Sequence, residues 1–170
     1  MAWFTDRFDA FIDQLTRFGL EYWRRYYGPY KAKVVSNNDP SGTGRVLVNC
    51  PRARLGEGNS KWVLPMMSGA GPQCGMFWPP EKDDYVFIFF DNGDPERPCG
   101  YLGGWYADGE LHKDLDTESD GSPKQRGFRT PGGHIISLSD KDGEERVLIR
   151  HKDGAVVEWT SGGKAQIGKE

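Results

Sequence analysis

Cysteine is scarce in this sequence, basic charge is not in excess, and long apolar runs are missing. Each absence removes a class of protein. The three cysteines, Cys50, Cys74 and Cys99, are odd in number and lack CxxC spacing. They read as reduced packing residues of a protein made in a cytoplasm, not as a disulfide framework or a thiolate metal site. Lys and Arg number 22 against 25 Asp and Glu, a formal net charge of −3. That argues against a general nucleic-acid binder, which needs a basic face to release phosphate counterions. No stretch reaches the roughly 18 apolar residues of a membrane span. The opening MAWFTDRFDAF alternates apolar and charged residues, which no signal peptide does.

Catalytic motifs are missing as well. There is no GxSxG, HExxH or GxxxxGK[ST], and no Cys–His pair at a local spacing. Of the three histidines, His134 falls in an alternating strand and His112 and His151 in polar turns. All read as packing or turn residues, with no metal ligand among them. The acids of residues 108–120 belong to a charge run, and an acid–base pair needs a partly desolvated pocket that such a run does not supply. The expectation is a non-enzymatic protein without cofactor or metal.

What is present is Gly, Pro and aromatic residues: 23 Gly, 11 Pro and 13% aromatics. This mixture suits short strands joined by tight turns around large rings. Four regions follow along the chain. Residues 1–28 form an N-terminal amphipathic helix, with Phe4, Phe8, Phe11, Leu15, Phe18 and Tyr22 at alternating steps of four and three. Gly28-Pro29 is its predicted stop, giving a helix about 35 Å long. Phe fits poorly in a tight coiled-coil seam, and so long a helix would overhang a small domain. The stripe reads either as a helix packed on its own domain or, the reading favoured by its length and aromatic bulk, as a docking surface for a partner or a symmetry mate.

Residues 29–106 contain YKAKVVS, RVLVNC, KWVLPM, GMFWPP, DYVFIFF and CGYLGGW, short strands without intervening helices. They indicate a compact five-stranded antiparallel barrel. One face of Tyr85–Phe90 would fill it. The other face requires cover, for which the sequence offers the N-terminal helix or a neighbouring subunit. Residues 107–126 carry six acids against three bases and no periodicity, the composition of a solvated linker. Residues 127–170 read as three short strands punctuated by KDG, KDG and SGG. Such a meander cannot bury a core alone. Its apolar positions Ile136, Leu138, Val147, Ile149, Val156 and Trp159 call for cover from copies of the same chain.

The barrel region resembles the OB-fold domain of the central spike (baseplate assembly protein V) family of contractile phage tails, related to the spike proteins of type VI secretion systems. Asp39-Pro40, Gly44-Arg45-Val46 and Val48 are similar to the first hairpin of that family, and Trp62 and Pro65 to its Trp followed by Pro. Gly71, Gly75, Pro79-Pro80, Asp84 and Val86 resemble its Gly-rich turn and buried strand. Gly93, Asp94-Pro95, Pro98 and Gly100 resemble its closing hairpin. Thr130, Gly133-His134, Ile136, Leu138 and Asp140 resemble the start of its β-spike. The resemblance implies a homotrimer whose C-terminal meander intertwines into a β-spike. It implies a hub protein above, a possible separate tip protein below, and a place in the virion's tail baseplate after assembly in the host cytoplasm. Two features of such spikes are missing: a His-x-His pair at the apex and a lysozyme domain.

The rival class is an OB-fold single-stranded nucleic-acid binder, which exposes stacking aromatics in a basic groove. Phe87, Phe89 and Phe90 lie in an uncharged run, and the acidic balance weighs further against it.

Overall fold

The computed structural model describes residues 2–115 and 121–169, with side chains from residue 6 onward. The chain divides into two compact units, residues 1–105 and 106–170, and each is taken by itself.

The first unit opens with helix α1, Ala2–Phe18. Its exposed flank carries an Asp13–Arg17 ion pair of 2.8 Å one turn apart. The helix is shorter than the expected run to Gly28-Pro29: it spans 17 residues, about 25 Å. Gly19 ends it in the left-handed region at φ 69°, its N–H donating to the Leu15 carbonyl at 3.0 Å. A glycine adopts that conformation without the Cβ penalty that would keep another residue helical. A 3-10 turn, Leu20–Trp23, follows, so Tyr22 stands off the helix.

Five strands then build the barrel: β1 (Tyr30–Ser36), β2 (Val46–Asn49), β3 (Lys61–Val63), β4 (Tyr85–Phe90) and β5 (Pro98–Leu102). Their order is β3-β2-β1-β4-β5 with every neighbouring pair antiparallel. The two ends meet where the Tyr101 N–H donates to the Leu64 carbonyl at 2.8 Å and the Met66 N–H to the Tyr101 carbonyl at 2.9 Å. This parallel bridge nearly closes the sheet on itself, which removes most of its open edge. Alternate residues point inward: Tyr30, Ala32 and Val34 from β1, Val46 and Val48 from β2, Val63 from β3, Val86, Ile88 and Phe90 from β4, and Tyr101 from β5.

The predicted strand GMFWPP is absent, and residues 64–84 between β3 and β4 form an irregular loop. Pro79 and Pro80 have no N–H for a ladder. Gly75, at φ 132°, passes so near the Gly69 carbonyl oxygen that a Cβ would stand 2.2 Å from it.

The outer face of β4 is covered differently from expectation. Trp105, from the segment just after β5, stacks on Tyr85 at 4.9 Å between centroids and lies 5.0 Å from Phe87. The cover is a ring of the same unit. The NGDPERP turn after β4 has a local task too. Gly93, at φ 69°, accepts a 2.9 Å hydrogen bond from the Tyr26 N–H. This ties the segment after α1 to the base of the barrel, where Tyr26, Tyr30 and Phe90 pack with centroids 5.3 to 5.8 Å apart. A Cβ at Gly93 would stand 2.9 Å from the Tyr26 nitrogen.

The second unit is a meander of five strands, not three: β6 (Gln125–Arg129), β7 (Ile135–Ser139), β8 (Arg146–Arg150), β9 (Ala155–Thr160) and β10 (Ala165–Lys169). They pair antiparallel in sequence order. The two outer strands, QRGFR and AQIGK, each have a glycine and few apolar residues, so their alternation is faint. Part of the expected linker is ordered: β6 starts at Gln125, and a 3-10 turn covers Lys113–Leu115. Asp114 in that turn pairs with Arg150 of β8. Residues 116–120 of that linker lie outside the described residues.

Candidate functional site

The ordered features of the described residues are one charged loop and two exposed apolar surfaces. No group of three or more His, Cys, Asp or Glu among them could hold a metal ion. The histidines sit in turns and at strand ends. His112 Nδ1 accepts from the Asp114 N–H at 3.1 Å, and His151 Nδ1 from the Asp153 N–H at 3.2 Å. His134 and His151 meet at the end of the β7–β8 ladder with ring centroids 4.5 Å apart.

The most ordered charged feature belongs to the loop between β1 and β2. Asp39 accepts from the backbone N–H groups of Ser41 and Thr43 at 2.9 and 2.8 Å, and from the Thr43 hydroxyl at 2.9 Å. The Arg45 guanidinium donates to it at 2.7 and 3.0 Å. These bonds, led by the Arg45 hydrogen bond, hold the Asp39 carboxyl far below the usual carboxylate range. Arg45 also lies 5.6 Å over the Trp62 ring, clasping the loop to β3. Both oxygens of the Asp39 carboxylate are taken up within the loop, so the motif holds the loop in shape.

The meander carries the surface that calls for explanation. On one face, register sets Phe128, Ile136, Ile149, Val157 and Ile167 side by side across the five strands. A second row on the same face contains Leu138, Val147, Trp159 and Ala165. Ile136, Leu138, Val147, Ile149 and Trp159 are all exposed, and Ile167 is 85% exposed. Directly opposed apolar pairs stabilise a sheet, but a face this apolar is costly to leave in water. Val156, grouped with them from the sequence, lies on the other face opposite Arg150 and is buried. That face also buries Ile135, Ser137, Ser139 and Leu148, and Arg146 pairs there with Glu158 at 3.3 Å. The misplacement arises because β9 reads AVVEWT, where two adjacent valines hide which one faces which way. Ile167 escaped sequence reading because β10 offers a single large apolar residue.

The N-terminal stripe is brought together only in part. Phe8, Phe11 and Phe18 are exposed on α1 and Leu15 is half-buried. The Phe4 side chain lies outside the described residues. Tyr22, on the 3-10 turn, stacks against Phe18 at 5.3 Å, and Trp23 closes on Phe11 at 5.7 Å.

A nearly closed five-stranded barrel of this order, with two ends joined by a parallel bridge, defines an OB-type domain. Residues 30–106 match the family model of the type VI secretion system/phage-baseplate injector OB domain. Over that stretch the barrel is similar to the OB domain of structural components of baseplates and spikes. The match supports a structural role in a baseplate or spike. No curated protein matches the chain.

Proposed function

We propose that the chain is the trimeric central spike of a contractile tail baseplate or a related injection machine. In this reading three barrels surround a threefold axis, and three meanders stack their apolar faces into a β-spike. The body plugs the tail tube beneath a hub protein, and the spike transmits the force of contraction to the host envelope. A separate protein would cap its tip. The chain would assemble in the host cytoplasm and act in the virion tail.

The observation that carries the proposal is the exposed double row of apolar side chains on the meander, attached to a barrel similar to the injector OB domain. At about 25 cal/mol per Å2 of apolar surface, covering such a face is a strong drive to associate. β6 and β10 are the outermost strands of the meander, edges that neighbouring copies can extend. Light scattering on the purified chain is the direct test. The expected mass is three times the 19.1 kDa of one chain; a monomer or dimer would overturn the proposal.

One observation favours the nucleic-acid alternative. Register places Lys31 opposite Phe87 and Lys33 opposite Tyr85, a basic and aromatic interleaving that the linear sequence conceals. Lys33, however, is neutralised by Asp83 at 2.8 Å, and Lys31 already lies 4.9 Å over Trp105. Salt-dependent binding of single-stranded DNA would favour this alternative; no binding at low salt is expected.

A further inference from the structure

Two apolar surfaces of the barrel unit stand outside the barrel core, although Met67 of the second packs against it. The first is the aromatic patch where α1 ends. Phe11 packs on Trp23, Phe18 stacks on Tyr22, and Tyr22 meets Trp23 edge-on at 5.4 Å. All four rings are exposed. They hold one another in place, so little side-chain entropy remains to be lost on docking.

The second is the loop between β3 and β4. From Leu64 to Pro80 it contains no charged residue, in a chain that is 28% charged. Met66 and Met76 are exposed and Phe77 is 68% exposed. The loop is nevertheless shaped: Gly71 N–H donates to the Cys74 carbonyl at 2.9 Å and Met76 N–H to the Ser68 carbonyl at 3.2 Å. Phe77 lies against Gly44, where a Cβ would stand 2.7 Å from the ring.

Strand direction roots these surfaces at opposite ends of the barrel. The segment after α1 is tied down by the Tyr26–Gly93 bond at the Tyr30 end of β1. The loop leads into Tyr85, the start of the antiparallel β4, at the other end. Their chemistry is complementary. The loop presents no charge that the rings would have to strip of water, and methionine sulfur favours aromatic rings. A closed ring of identical copies needs two different surfaces on each copy, joined head to tail. Self-pairing of the aromatic patch would use one surface and leave Met66, Met76 and Phe77 exposed.

We propose that the aromatic patch of one copy, formed by Phe11, Phe18, Tyr22 and Trp23, docks on the uncharged loop of the next copy at Met66, Met76 and Phe77. This rests on the trimeric reading and supplies the barrel-to-barrel contact that it lacks.

The loop contains its own reporter, because Cys74 is exposed while Cys50 is buried. In the full chain, Cys99→Ser removes the other exposed thiol. Gln14→Cys adds one on the patch face of α1, one turn from both Phe11 and Phe18, and leaves the rings intact. A short bis-maleimide should then give covalent dimers and trimers on a denaturing gel. The products should vanish with Cys74→Ser and fall by ~tenfold with Phe77→Asp, as for loss of a central apolar anchor. Light scattering on the same sample separates the failures. A trimeric mass without interchain products, or with links only inside single chains, overturns the docking and leaves the trimer standing. Closed dimers as the largest product also overturn it. A monomeric mass overturns both.

Discussion

At the scale of the residue, the clearest dependence is that of the β1–β2 loop on one carboxylate. The Asp39 side chain is only 3% exposed, and six hydrogen bonds converge on it from Ser41, Thr43 and Arg45. Its folded-state pKa lies below the unfolded value, chiefly through the Arg45 hydrogen bond. A depressed carboxylate contributes stability that is fully present above the unfolded value, near about 4, and is lost as the pH falls toward the folded one. Asp39→Asn keeps the shape but loses the charge and half of the acceptors. It should lower the melting temperature at pH 7. The gap to the parent should shrink steadily below about pH 4, where the parent itself begins to lose the contribution. Melting curves followed by circular dichroism at pH 7 and pH 3 check this; an equal gap at both values would mean that the charge does not matter.

Elements show a sharper division between what holds the fold and what decorates it. The buried cluster of the first unit runs from Tyr26 to Tyr101 and, among the described residues, includes none of α1. Phe11 touches Trp23 and is 44% exposed. Phe11→Asp should therefore change barrel stability by no more than about 0.5 kcal/mol, the usual range for exposed positions. Urea unfolding measures this, and a cooperative loss of several kcal/mol would place the helix in the core. The barrel strands were legible from sequence because their alternation is strong: YKAKVVS and RVLVNC put apolar residues on one face and polar ones on the other. The helix end was not, because the 4-3 periodicity of the rings continues to Tyr22 and outweighed the single Gly19 that breaks the backbone. GMFWPP looked like a strand for its apolar content, while its prolines and the close approach at Gly75 were the stronger signals. The outer strands β6 and β10 carry too few apolar residues to announce themselves, and they are recovered only by pairing with β7 and β9. Among the assembly residues, exposure of the β7–β8 positions followed from alternation, whereas the side of Val156 required the register.

For the whole molecule, two units with different needs share one chain. The barrel unit has a complete apolar core, whereas the meander buries one face and exposes the other. Folding of the first is thus local, and in the proposed trimer full order of the second would be coupled to association. Removing the meander is best done by ending the chain after Tyr106, because a cut after Arg126 would leave two residues of β6 behind. The shortened chain should keep a cooperative unfolding transition and associate weakly or not at all. Ile149→Asp in the full chain is the finer probe, since Ile149 lies between Ile136 and Val157 in the longer apolar row. Placing a carboxylate there forfeits the apolar burial and adds a charge to be desolvated, about 2–4 kcal/mol for each copy. At 1.4 kcal/mol per tenfold, the concentration at which the assembly dissociates should rise more than tenfold. Dissociation of the proposed intertwined trimer would be slow, so masses should be read after refolding at each concentration, not after simple dilution. If the variant assembles at the same concentration as its parent, the face bearing Ile149 is not where copies meet.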